Sequence, residues 1–143
     1  MGNGVVRTGS VRPSQDGDAN GSVQDFTDLR VWQDAMDLAD RIYRKTWEFP
    51  RQETYGLASQ LQRASVSISI PSNIAEGNGR GGLGDYQRFL SIARGSLAEV
   101  RCQLMLAERL GYVDAATSQR LIDHAKGIGR QLTALKKSLE RQQ

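Results

Sequence analysis

Residues 85–111, DYQRFLSIARGSLAEVRCQLMLAERLG, decide the fold. Within them Phe89, Ala93, Leu97, Val100, Leu104, Ala107 and Leu110 return every three or four positions. At about 100° per residue this spacing draws one apolar stripe along several helical turns, a pattern no strand can present. Asp85 is placed to start or cap the helix. Gly111 is placed to end it, because the left-handed residue that closes many helices is easiest for glycine. A helix with one apolar stripe must bury it against other helices, so the neighbouring segments should be helical too.

Downstream they are. Asp114 can cap a last helix in which Leu121, Ala125, Ile128, Leu132, Leu135 and Leu139 keep the same spacing. Upstream, Pro50 opens a segment running through Leu57, Leu61, Ala64 and Ile68 to Ile74 and Ala75, with Gly77 as its expected C-terminal cap. Pro71 lies inside that segment, where it removes an amide donor and frees the carbonyl of Ser67, so a kink is expected. The alternation in Val66-Ser-Ile-Ser-Ile70 resembles a strand, but one strand in a helical chain has no partner. Residues 78–84 hold four glycines and read as a loop. The first helix should begin at a cap on Asp28, carry Leu29, Trp32, Met36, Ala39 and Tyr43 flanked by Ala35 and Ile42, and end between Trp47 and Phe49 ahead of Pro50.

The expected fold is all-α, an up-and-down four-helix bundle with a kinked second helix, over residues 26–143. Residues 1–25 are rich in Gly, Ser, Asn, Asp and Gln and have no period. They are expected to form a flexible arm, since they cannot bury enough surface to offset ordering entropy.

Composition excludes several functions. No window nears the roughly 18 consecutive apolar residues of a membrane span, and the N-terminus lacks a signal-peptide core, so a cytoplasmic protein is expected. One cysteine, Cys102, and one histidine, His124, make neither a disulfide nor a metal-ligand set, and no metal or cofactor is expected. Cys102 reads as a small packing residue on a helix flank, His124 as a boundary residue. The glycines at 77, 79, 81, 82 and 84 follow a helix and no Gly-Lys-Ser/Thr accompanies them, so a nucleotide-binding loop is not indicated. Glu76 opposes the dipole at the end of its helix and calls for a cation, with Arg80, Arg94 and Arg63 as candidates. Gly127 and Gly129, and likewise Ala93, Gly95 and Ser96, are expected to mark close approach between helices, which would offset the helix-propensity cost of the glycines. No pair of titratable groups has the spacing of an acid–base site, and no enzyme is expected.

Charge is the remaining lead. The chain is +3 with a pI near 9.3, and Arg120, Lys126, Arg130, Lys136, Lys137 and Arg141 against Asp123 and Glu140 put the whole excess on the last helix. With Lys126 at zero, Arg130, Lys137 and Arg141 fall at about 40°, 20° and 60°, opposite an apolar face at roughly 180° to 260°. These four are the candidate nucleic-acid-binding residues, because such a stripe can follow phosphates or meet an acidic partner. A solvated face is the plainer alternative, and Asp123, at about 60°, interrupts the stripe.

Leu29-x-Val31-Trp32-Gln33-x-Ala35, Tyr55-Gly56-Leu57, Arg63-Ala64, Pro71-Ser72-Asn73-Ile74-Ala75-Glu76-Gly77, Gly79-Arg80, Tyr86-x-x-Phe89-Leu90-x-Ile92-Ala93-x-Gly95-Ser96-Leu97-x-Glu99 and Leu110-Gly111-Tyr112 together resemble a known family. It is the four-helix bundle family encoded in intervening sequences of bacterial 23S ribosomal RNA genes, which includes the accessory variability proteins of diversity-generating retroelements. The resemblance spans residues 26–141. It implies a homo-oligomer, a pentameric ring or barrel, without known enzymatic activity. Its retroelement branch is implicated in binding nucleic acid and a reverse transcriptase through a basic surface. It also implies that Pro71, Ser72, Asn73, Glu76, Gly77 and Arg80 are structural. One departure stands out: the family pattern runs from Arg-Ala-x-Val-Ser-Ile directly into Pro-Ser-Asn, whereas here Ser69-Ile70 repeats Ser67-Ile68. Two added helical residues would turn everything downstream by about 200°, so the kink at Pro71 must absorb them or the second helix must be locally irregular. The functional expectation is a non-catalytic, oligomeric accessory protein that binds RNA or DNA. The alternative is a scaffold that docks a partner protein such as a reverse transcriptase.

Overall fold

The computed structural model describes residues 25–67 and 70–142. The expected arm, up to residue 24, and the pair at 68 and 69 lie outside these residues.

Helix α1 spans Arg30–Thr46. Asp28 does not cap it. Asp25 instead caps a short 3-10 turn over Phe26–Asp28 by accepting from the Thr27 N–H, and Leu29 takes the N-cap position with no side-chain bond. Phe26 stands edge-on to Trp32, ring centroids 5.2 Å apart, which anchors the entry to the helix. The buried stripe is Val31, Ala35, Leu38, Ala39 and Ile42, while Met36 is exposed and Trp32 and Tyr43 are half-buried. The expected Trp/Met/Tyr stripe therefore forms the edge of the face. Two stripes with the same spacing lie side by side here, and the slimmer aliphatic one enters the core.

The second long element is broken into parts. A 3-10 turn, Arg51–Glu53, follows Pro50, then α2 covers Leu57–Gln62, a π-helical turn covers Arg63–Ser67, and α3 covers Ile70–Arg80. A π turn holds more residues than an α turn and so takes up extra chain within a helix. The second helix is thus locally irregular at Arg63–Ser67, ahead of Ser69-Ile70. Pro71 is the second residue of α3, where a missing N–H has no intrahelical partner to lose, so the break precedes the proline. Gly77 is not the cap. The helix continues to Arg80, and Gly81, at φ +86°, is the left-handed residue that ends it. The expected loop over 78–84 shrinks to Gly81 and Gly82.

Helix α4 spans Leu83–Arg109, starting ahead of Asp85, which sits in its first turn. Gly111 at φ +81° ends it as expected, and the Tyr112 N–H bonds the Ala107 carbonyl. Helix α5, Ala115–Glu140, is capped by Asp114, which accepts from the Thr117 N–H at 2.7 Å. Each helix packs on its neighbours in the order α1, α2/α3, α4, α5 and back to α1, which is a four-helix bundle without a strand among the described residues. Ala93, Leu97, Val100, Leu104 and Ala107 of α4 and Leu121, Ala125, Ile128, Leu132 and Leu139 of α5 fill the core. Phe89 is only half-buried, and Leu110, the last of the expected stripe, is 49% exposed at the C-cap of α4. No helix among the described residues is long and apolar enough to cross a membrane.

Candidate functional site

Several of the quoted motifs lie at contacts between or within the helices. Glu53 accepts from the Leu57 N–H at 3.0 Å through Oε1 and from the Tyr112 hydroxyl at 2.8 Å through Oε2. One carboxylate thereby caps α2 and ties it to the α4–α5 turn, and it draws Tyr55-Gly56-Leu57 and Leu110-Gly111-Tyr112 to the same end of the molecule. The bond from Leu57 and then that from Tyr112 hold the Glu53 carboxyl below its ordinary pKa, and Glu53 in turn raises that of Tyr112. Glu76 finds Arg80, one of its three candidate partners, at 2.9 Å. This pair is exposed and tethers the last turn of α3. Gly77 is buried against α4, where a Cβ would lie 2.9 Å from Phe89 Cβ and 3.1 Å from Tyr86 Cδ1.

The four cations expected to form a stripe are all exposed, Lys126, Arg130 and Lys137 on α5 and Arg141 at its C-cap, and among the described residues none has an ion-pair partner. Packing divides them. Lys126 and Arg130 line a groove of about 760 Å³ between α4 and α5, while Lys137 and Arg141 continue along α5 beyond it. Across the groove stand Arg94 and Arg101 of α4, which the charge pattern of one helix could not reveal. Leu97, Ala98, Ala125, Gly95, Gly129, Ser91 and Thr133 complete the lining, which contains no carboxylate. Lys136 closes the side near Ser91 by donating to its hydroxyl at 2.5 Å.

The glycines in this region do not serve close packing. A Cβ on Gly95 would meet nothing within 4 Å, one on Gly127 only Arg130 Nη2 at 3.7 Å, and one on Gly129 only Leu97 Cδ1 at 3.9 Å. Ala93 and Ser96 do lie buried in helix contacts, but the glycines bound open space. Gly95 and Gly129 give the groove a floor without side chains.

His124 sits at the α1–α5 boundary with a partner the sequence did not show. Arg41 Nη1 donates to its Nδ1 at 2.7 Å. Partial burial, then the Arg41 charge, lowers its pKa, against the opposing carboxylates of Asp34 and Asp37. Nearby, Gln131 donates to Asp34 at 2.6 Å. Cys102 is exposed and is not the packing residue expected. Tyr86 and Leu90 of α4 are turned inward. Leu90 is fully buried, and Tyr86 is half-buried with its hydroxyl accepting from Asn78 Nδ2 at 3.2 Å. Met105 and Leu106 remain exposed, joined by Ile92 and Leu110. Among the described residues no three His, Cys, Asp or Glu side chains are grouped to hold a metal.

Comparison with known proteins agrees with the fold. A crystal structure of a protein of unknown function from the S23 ribosomal protein family of Bacteroides thetaiotaomicron superposes with a TM-score of 0.66 at 23% identity. It covers 75% of this chain and 98% of its own. No curated protein matches. The model of the 23S rRNA-intervening sequence protein family matches residues 27–134, so the chain belongs to that family.

Proposed function

We propose that the protein is a non-catalytic nucleic-acid-binding accessory protein that works as a homo-oligomer, a pentamer by its family resemblance. The observation that carries this is the exposed row Lys126, Arg130, Lys137 and Arg141, without an ion-pair partner among the described residues and widened across the groove by Arg94 and Arg101. Phosphates neutralise such a row and release counterions, which gives binding that weakens steeply with salt and reads little sequence. Assembly matters because a +3 chain is weakly basic alone and a ring of copies gathers their fields. The exposed Met105, Leu106 and Leu110 offer apolar surface for such contacts.

The test is fluorescence anisotropy with labelled RNA and DNA at two salt concentrations. Parent protein is compared with a variant carrying Lys126, Arg130, Lys137 and Arg141 all as glutamine, after both are matched for oligomeric state by light scattering. The expected log–log slope is roughly −0.7 to −0.9 per phosphate neutralised, reduced in the variant. Equal affinity and slope in both proteins would remove this row as the binding face. No binding by the parent at low salt would favour the scaffold reading, which rests on the exposed apolar side chains of Trp47, Tyr55 and Leu110, each within two residues of Phe49, Glu53 or Tyr112 in the chain. A stable monomer in light scattering would remove the assembly claim.

A further inference from the structure

We infer that the α4–α5 groove is a built site for consecutive phosphates of a single strand, with Arg101 as its principal recognition residue. The inference rests on the nucleic-acid reading for the source of the phosphates, while the chemistry of the groove stands apart from it.

Arg94 and Arg101 from one wall and Lys126 and Arg130 from the other face the same groove, with no carboxylate in its lining and no ion pair to any of them among the described residues. Four like charges gathered over a partly apolar floor repel one another, and the low-dielectric walls strengthen their combined field. An anion entering the groove relieves that repulsion. Arg101 adds a more specific demand, because its Nε is shielded from solvent and has no acceptor among the described residues. A buried donor of this kind is costly until something accepts from it. Arg101 lines the groove, so a turn of its guanidinium would present Nε and Nη as a planar fork that matches two oxygens of one phosphate.

Spacing favours more than one phosphate. Arg94 and Arg101 are seven residues apart on α4, and Lys126 and Arg130 four apart on α5, which is roughly 10 Å and 6 Å along the helix axes at 1.5 Å per residue. Two anionic groups in series fit this arrangement better than one. The floor at Gly95 and Gly129 lets a backbone lie close to both helices. The lining holds no aromatic ring on which a base could stack, so the part recognised is the phosphate chain and not the base.

Two substitutions separate a built site from diffuse attraction. Arg101→Lys keeps the charge and removes the fork. Gly95→Leu keeps every charge and fills the groove, at a position where added atoms meet nothing within 4 Å at Cβ. Arg109→Gln, on the exposed end of α4 and away from the groove lining, controls for loss of one charge. The full chain and each variant, matched for helicity and oligomeric state, are titrated with a short fluorescein-labelled single-stranded RNA by anisotropy and with inorganic tripolyphosphate by calorimetry. We expect both probes to bind the parent, both groove variants to weaken both probes about tenfold, as loss of a charged hydrogen bond would, and Arg109→Gln to change little. RNA binding that ignores Arg101→Lys and Gly95→Leu would overturn the groove site and leave the nucleic-acid reading standing. Tripolyphosphate binding with the expected sensitivities, but no RNA binding, would keep the groove as a site for free polyphosphate and remove the nucleic-acid reading. Failure of both probes would overturn both.

Discussion

The Tyr112 hydroxyl donates to Glu53 Oε2 at 2.8 Å, joining residues 59 apart in sequence across one end of the bundle. The Tyr112 ring also rests on Phe49, centroids 5.3 Å apart, so a single side chain ties the exit of α1, the entry of α2 and the α4–α5 turn. Tyr112→Phe should keep the ring packing and lose the bond, lowering Tm by a modest amount. Paired with Glu53→Gln in a double-mutant cycle, the two changes should be less than additive. Strict additivity would show that the two groups do not act together.

Acid should weaken the fold in two steps. His124 has a lowered folded pKa, so its stabilising contribution is present above its unfolded value near 6.5 and is lost as pH falls through the folded value. Protonated His124 can no longer accept from Arg41 and is repelled by it, although Asp34 and Asp37 soften the effect. Glu53 and the helix cap Asp114 have lowered carboxyl values, so their contributions persist above the unfolded values of 4.5 and 3.8 and fade below them. Denaturant melts across pH should therefore show an upper loss that disappears in His124→Gln and a lower one that does not. A His124→Gln profile parallel to the parent's throughout would remove the histidine from this account.

Two glycines on α3 should respond to alanine with opposite sign. At Gly77 the new methyl would stand 2.9 Å from Phe89 Cβ and 3.3 Å from the Tyr86 carbonyl oxygen, forcing α3 away from α4. Overpacking of that kind costs about 1–3 kcal/mol. At Gly79, in the same helix, nothing lies within 4 Å, so alanine should stabilise by up to about 1 kcal/mol through helix propensity. Chemical denaturation of both variants tests this, and a stabilised Gly77→Ala would show that the α3–α4 approach is looser than described.

Periodicity made the bundle legible. The stripes of α4 and α5 were readable because each helix repeats its apolar face over many turns, although Phe89 and Leu110 at the ends of the α4 stripe are not buried, and Gly111 and Asp114 announced the end of α4 and the start of α5 by their own chemistry. The row Lys126, Arg130, Lys137 and Arg141 was legible for the same reason, since residues on one helix share a face whatever surrounds them. Choices between two stripes on α1, the end of α3 at Gly81 and the length of the following turn depended on which surfaces neighbours could cover, and local spacing carries no such information. The groove was equally out of reach. Arg94 and Arg101 meet Lys126 and Arg130 only because α4 and α5 pack side by side, and Gly95 and Gly129 mean open space or close contact according to what lies opposite. Sequence alone determined the faces of the helices, because a helical repeat is local physics. Only the tertiary structure decided which faces meet and where they part, because that depends on contacts between residues far apart in the chain.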